Sequence, residues 1–433
     1  GGLVTACIPY DASGGETARP CSSDAQCAAS TCVGGQCTEA CAVTGDCVLG
    51  QTCTSVAWGG GTFTGCGYAP GSGAFEIPLG EHDLEAGSGT PGLVFATPPD
   101  SVSVTLRAQT ISGDPLPLSF YDVQDPRETT IFLLDDIFAL RDPLDRWIPG
   151  DSEESIAMLV PNATSERLPY VPGAHRFRVI AFSRTDGDTG RARVRISAVV
   201  KRAPGGTVSA GALDLDIYLA GVGVTASAAP TNTRVQNAIG RFRTLLGPTG
   251  VSLGAIAYHD VSSGDATRYQ VIDSTDGPGS ELAGLFRLSA GLSGSRLAIF
   301  LVRSIDSGGE GFNTLGIAGG IPGPSAIHGT MHSGVVVAFD SSVVGSSGAL
   351  AGHVMAHEVG HFLGLWHVTE SLRPCGAGET PPGCAPFGGT DTIGDTTRGD
   401  TTNLMHWSLV GSGSNDRISA GQRFVMLRSA VVR

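Results

Sequence analysis

Between residues 75 and 203, apolar residues recur at every second position in short runs: SVSVTLRAQ, TTIFLL, ESIAMLV, HRFRVIAFS and RARVRISAVV. Clusters of Gly, Pro, Asp and Asn, such as SGDPLP and RTDGDTG, separate them. Strand side chains alternate between two faces, so this pattern with its frequent turns predicts an antiparallel β-sandwich. The segments APGSGAF (Ala69 to Phe75) and KRAPGGTVSAG (Lys201 to Gly211) read as linkers on either side. After the second linker the periodicity changes. LDLDIYLAG predicts a strand, and TNTRVQNAIGRFRTLLGPTG an amphipathic helix opened by Thr231 or Asn232 and closed by Gly247-Pro248. Strands VSLGAIAYHDV, RLAIFLVRSI, TLGIAGGIPG and SGVVVAFD follow, then a helical stretch from His357. Three units result: residues 1–68, 75–203 and 206–433.

The first unit has almost no apolar pattern, and cysteine changes the picture there. Nine of the 11 cysteines fall within the first 66 residues: Cys7, Cys21, Cys27, Cys32, Cys37, Cys41, Cys47, Cys53 and Cys66. A segment with so little to bury predicts a disulfide-stapled fold in an oxidising compartment. Nine is odd, so one cysteine is free, pairs outside the segment, or had a partner that was trimmed away. Cys7 lies nearest the start. Cys375 and Cys384 form an isolated pair in a Pro/Gly-rich loop and predict a further disulfide.

Charge narrows the function classes. A net charge of -14 and pI near 5.1 argue against nucleic acid or an anionic membrane as partner. No apolar run reaches the roughly 18 residues of a membrane span. The cysteine content predicts a secreted protein whose signal peptide has been removed. The sandwich carries no clustered acid, base or nucleophile, which leaves recruitment of substrate, chaperoning as a pro-segment, or a plain spacer as its roles.

The chemistry concentrates in HEVGHFLGLWH, His357 to His367. His357 and His361, four apart on a helix, leave the same face and can grip one metal ion. Glu358 is one step round, placed to act on a zinc-activated water without being a ligand. Gly364 allows the helix to stop and the chain to turn, bringing His367 back as third ligand. Three imidazoles and an open position describe a catalytic zinc. His328, His332, His353 and His406 lie near in sequence and are not assigned as ligands; His353 reads as a neighbour of the site or a surface residue.

The pattern H-E-x-x-H-x-x-G-x-x-H resembles that of the metzincin metallopeptidases, and the chain is most similar to the pappalysin-type family over roughly residues 206–433, most strongly from 351 onward. The resemblance makes Cys7 the candidate for a thiolate that would hold a zymogen latent at the zinc's fourth position. TDTIGDTT (Thr390 to Thr397) resembles the family's Asp-rich loop, NLMHWS (Asn403 to Ser408) its Met-turn and ISAGQRFVMLR (Ile418 to Arg428) its closing helix. The resemblance implies an α+β catalytic domain: a mixed, twisted sheet packed on two helices, with an irregular C-terminal subdomain. It implies Met405 as a packing base beneath the ligands. It also implies GIAGGIPG as an edge strand to which a protein or peptide substrate adds as a further strand. Where the family carries a tyrosine two residues after the methionine, this chain has Trp407, so oxyanion stabilisation falls to zinc, with His406 and Trp407 as candidate helpers. Asp391, Asp395 and Asp400 are hard oxygen donors that suit calcium or form a solvated acidic loop.

These residues predict a zinc endopeptidase in which Glu358 serves as general base and then general acid. Two rivals are a zinc hydrolase of non-protein amides or esters and a zinc-retaining adhesin without turnover. Cleavage of an unstructured protein separates the first, and an intact Glu358 argues against the second.

Overall fold

The computed structural model describes residues 18–27, 30–58, 61–69, 71, 73–134, 153–164, 169–185, 187–306, 314–368, 391, 393–409 and 413–433. Cys7, Cys375 and Cys384 lie outside these residues, so neither the latency thiol nor the C-terminal disulfide is placed. The remaining eight N-terminal cysteines pair as Cys21–Cys32, Cys27–Cys37, Cys41–Cys53 and Cys47–Cys66. Each set of four is interlocked, first with third and second with fourth. The segment is therefore two like knots, one holding the hairpin β1 (Thr31–Val33) and β2 (Gln36–Thr38), the other β3 (Thr52–Trp58) and β4 (Gly61–Gly67).

Next come β5 (Gly73–Glu85), β6 (Leu93–Ala96), β7 (Ser101–Gly113), β8 (Leu118–Gln124), β9 (Thr130–Leu133), β10 (Ser155–Val160), β11 (Ala174–Ala181) and β12 (Arg191–Arg202). They form two four-stranded antiparallel sheets, ordered β10-β7-β12-β5 and β6-β11-β8-β9. Their inner faces close over a shared core that includes Phe95, Leu106, Phe120, Phe177 and Ile196. This is the sandwich that the alternation predicts. The linkers are corrected at both ends. β5 already begins at Gly73, and Lys201 and Arg202 finish β12.

Beyond them lie β13 (Gly211–Leu219), β14 (Val251–Asp260), β15 (Val271–Ile272), β16 (Arg296–Val302), β17 (Ser304–Ile305), β18 (Gly316–Ala318) and β19 (Val335–Ala338). Among the described residues the α-helices are α1 (Thr233–Leu246), α2 (Ser263–Tyr269), α3 (Glu281–Arg287), α4 (Ser341–Val344), α5 (Ala349–Phe362) and α6 (Ala420–Arg428). The main sheet runs β14-β13-β16-β19-β18, parallel except for β18, which is antiparallel on the edge. Asn232 caps α1 by accepting from the backbone N–H groups of Arg234 and Val235, one of the two predicted openings. α1 and α5 pack on one face of the sheet around Phe242, Ile299, Val337, Met355 and Val359. α2 and α3, which the sequence reading did not anticipate, help cover the other face with Tyr269, Phe286 and Phe300.

Along β12 the predicted alternation holds from Arg191 to Ile196 and then fails: Ser197 to Lys201 are all buried. β7 is likewise buried on both faces from Ser101 to Ala108. The second face of these strands is covered by the C-terminal part. The Ser103 hydroxyl donates to the Arg428 carbonyl at 2.7 Å, and the Arg107 guanidinium donates to the Ser325 carbonyl. The Lys201 ammonium donates to the carbonyls of Leu427, Ser429 and Val432 at 2.6, 3.2 and 2.5 Å.

Candidate metal centre

α5 is apolar around almost its whole circumference and is sunk in the core, with Ala351 to Ala356 and Glu358 to Phe362 buried. A helix so enclosed has little freedom to shift. It ends as the motif predicts: Gly364 has φ +110, and its N–H closes back on the His361 carbonyl at 2.8 Å. That left-handed turn costs glycine little.

The turn brings the three imidazoles together. The Nε2 atoms of His357, His361 and His367 stand 3.1, 3.1 and 3.0 Å from one another. Donors on a tetrahedral zinc with Zn–N of about 2.0–2.1 Å would stand roughly 3.3 Å apart. His357 Nδ1 lies 2.7 Å from the Leu404 carbonyl, and His361 Nδ1 lies 2.7 Å from the Leu365 carbonyl. A carbonyl oxygen can only accept, so each Nδ1 carries the proton and each Nε2 presents a lone pair inward. Two lone pairs facing each other at 3.1 Å repel unless a cation lies between them. Burial, reinforced by the neighbouring imidazole of His367, pulls His357 down to about 3 and His361 well below the usual histidine range. The rings of His357 and His361 are therefore held neutral, the form that ligates. The residues present fit a metal ion.

Glu358 is 7% exposed, and burial pushes its carboxyl up to about 8, opposed by the Ala318 backbone N–H from the edge strand. A dication on the adjoining imidazoles would favour the ionised form. Gly316, two residues before that N–H, leaves room for the side chain. A Cβ there would stand 2.5 Å from Glu358 Cγ and 2.7 Å from Oε1. The Leu315 carbonyl accepts from the Ala338 N–H at 2.8 Å and the Gly319 N–H donates to the Gly334 carbonyl at 2.9 Å, so by the alternation of an antiparallel pair the backbone groups of Gly316 and Ala318 face outward. A cleft of about 580 Å³ opens there, lined by Leu315, Gly316, Val354, His357, Glu358 and Trp407 among others.

Residues 403–408 lie against the imidazoles. Met405 is fully buried, and its Sδ would stand 2.6 Å from a Cβ on Gly360, so the glycine inside the helix motif admits it. Its carbonyl accepts from the Val368 N–H at 2.9 Å, beside His367, while the Leu404 carbonyl holds His357. Asn403 and Gln422 exchange amide hydrogen bonds, both at 3.0 Å, tying this turn to α6.

The other predicted residues are placed as follows. His406 (8% exposed) and Trp407 (37% exposed) both line the cleft. His353 is 1% exposed, so it is no surface residue, and His328 and His332 make contacts to the carbonyls of Gly294 and Gly319. Asp391, Asp395 and Asp400 do not converge. Asp391 accepts from Thr396, Asp395 accepts from Ser419 Oγ and the Gly421 N–H near the start of α6, and Asp400 accepts from Thr402. Among the described residues they belong to no group of three potential metal ligands. The Leu404 and Leu365 carbonyls that orient the rings escaped the sequence reading, since a backbone group leaves no residue-type signal.

No family model matches this chain, and no curated protein does. Among solved structures it is similar to one titled "Crystal Structure of metalloproteinase-II from Bacteroides fragilis", at 14% identity and a TM-score of 0.23. The match covers 46% of this chain and 59% of that one, so it spans under two thirds of the neighbour's length.

Proposed function

We propose that this chain is a secreted, zinc-dependent endopeptidase of metzincin type, with its catalytic part in residues 206–433. The observation that carries the reading is the convergence of three imidazole Nε2 atoms beside a buried carboxylate at the floor of an open cleft. His357, His361 and His367 would hold the zinc, which supplies a Lewis acid that polarises the scissile carbonyl and lowers the pKa of the attacking water. The outward-facing backbone of Gly316 and the Ala318 carbonyl would take an extended peptide as an added strand, with affinity from main-chain hydrogen bonds. Glu358 would accept the attacking water's proton on its carboxylate and return it to the leaving amine. Its burial keeps bulk water from competing for that proton. Trp407 at the cleft lip has an indole N–H that can donate to a developing oxyanion. The four N-terminal disulfides suit an oxidising compartment. Calcium at the Asp391–Asp400 loop is a separate proposal, supported by the acidity of the loop alone.

The test is digestion of casein by the full chain, before and after a chelator strips its metal and after zinc is added back in one-chain equivalents. Digestion should cease on stripping and return at about one equivalent. Casein digestion that survives stripping contradicts the metal reading, and hydrolysis confined to small esters contradicts the peptidase.

A further inference from the structure

One sandwich strand reaches into the core of the metal-binding part. Leu159 of β10 is 1% exposed and packs in the same cluster as Val359, Phe362, Leu363 and Met405. A Cβ on Gly364 would stand 3.1 Å from Leu159 Cδ2 and 3.3 Å from Val425 Cγ1. Leu159 therefore rests on the very turn that swings His367 back toward His357 and His361. The same strand and its flanks also bond to the metal-binding part at two further places. At one end, Glu154 pairs with Arg287 and accepts from the Met331 N–H at 2.8 Å, while Ser155 Oγ meets Thr330 Oγ1 at 2.8 Å. At the other, Thr164 Oγ1 accepts from the Gly394 N–H at 3.3 Å.

We propose that Leu159 is a positioning residue for the third metal ligand, and that the β-sandwich remains on the catalytic part in the working protein and does not leave as a pro-segment. His367 lies three residues beyond Gly364, whose φ of +110 sets the direction in which the chain returns to the other two imidazoles. Filling the space over that glycine stops the turn from relaxing. Removing the sandwich would uncover an apolar socket over the turn and strip the Lys201 ammonium from the three carbonyls around the end of α6. The inference rests on the metal-centre reading.

The test uses the full chain loaded with cobalt(II), read by its visible ligand-field spectrum and by its dissociation constant. Leu159→Ala should weaken cobalt binding about tenfold and change the spectrum toward one fewer nitrogen ligand. Leu159→Met should restore both. Val194→Ala, an equally buried sandwich position away from the interface, should lower the melting temperature and leave the cobalt spectrum as it was. A protease site built into the exposed Gly205–Gly206 turn should yield two halves that co-elute on gel filtration with the cobalt spectrum intact. An unchanged spectrum and affinity in Leu159→Ala would overturn the proposal. So would a nicked C-terminal half that elutes alone with its cobalt spectrum intact. If the intact chain binds no cobalt, the metal reading itself fails and this inference with it.

Discussion

At the scale of single residues, the motif was legible because each position in it is dictated by side-chain chemistry. Imidazoles must share a helix face, the carboxylate must adjoin them, and the turn must tolerate a positive φ. What was not legible is equally specific. Gly316 sits in a run read as an edge strand, and its missing Cβ is what admits Glu358. Only the approach of α5 to β18 reveals that. Gly316→Ala should therefore displace the carboxylate and leave the imidazoles untouched. The expected result is a fall in kcat/KM of about 10²-fold, with zinc content unchanged, checked by peptide hydrolysis and metal analysis on one sample. Wild-type kinetics in that variant would remove Glu358 from the position assigned to it.

At the scale of elements, long periodic segments and their caps were readable, and short ones were not. α1 shows both an apolar stripe and an Asn cap over 14 residues. α2 and α3 are seven residues each, too short for a 3.6-residue period to declare itself, although Ser262 and Ser280 cap them. α6 gains its place through Gln422, which closes a capping box with Ser419 and bonds the buried Asn403 amide below the metal centre. Gln422→Ala should leave the Asn403 Nδ2 donor without its partner and cost about 1–3 kcal/mol of stability. Urea unfolding measures it; a loss within a few tenths of a kcal/mol would mean the pair is not what holds the turn to α6.

At the scale of the whole molecule, the sequence announced three units but not how they join. Ser103, Arg107 and Lys201 are polar, as residues on the outer face of a sandwich should be, and a partner surface is invisible in that polarity. The sandwich also carries an acid-sensitive point. His175 is 2% exposed, stacked between Phe95 and Tyr170 with centroids at 5.5 and 5.7 Å, and burial pulls it down to about 4. The unfolded chain binds a proton there at about pH 6.5, while the folded chain resists until about 4. Stability attributable to the neutral ring is thus full above pH 6.5 and lost as pH falls to 4, by up to about 3 kcal/mol. Denaturant unfolding at pH 7 and 4.5 should show that loss in the native chain and a smaller one in His175→Phe; equal losses would contradict it. The central claim is that a histidine-held metal and Glu358 together make a peptidase. The most direct measurement sets zinc content beside casein hydrolysis in Glu358→Ala. About one zinc per chain with hydrolysis reduced at least about 10²-fold is the predicted result. Hydrolysis at the native rate with zinc retained would contradict it.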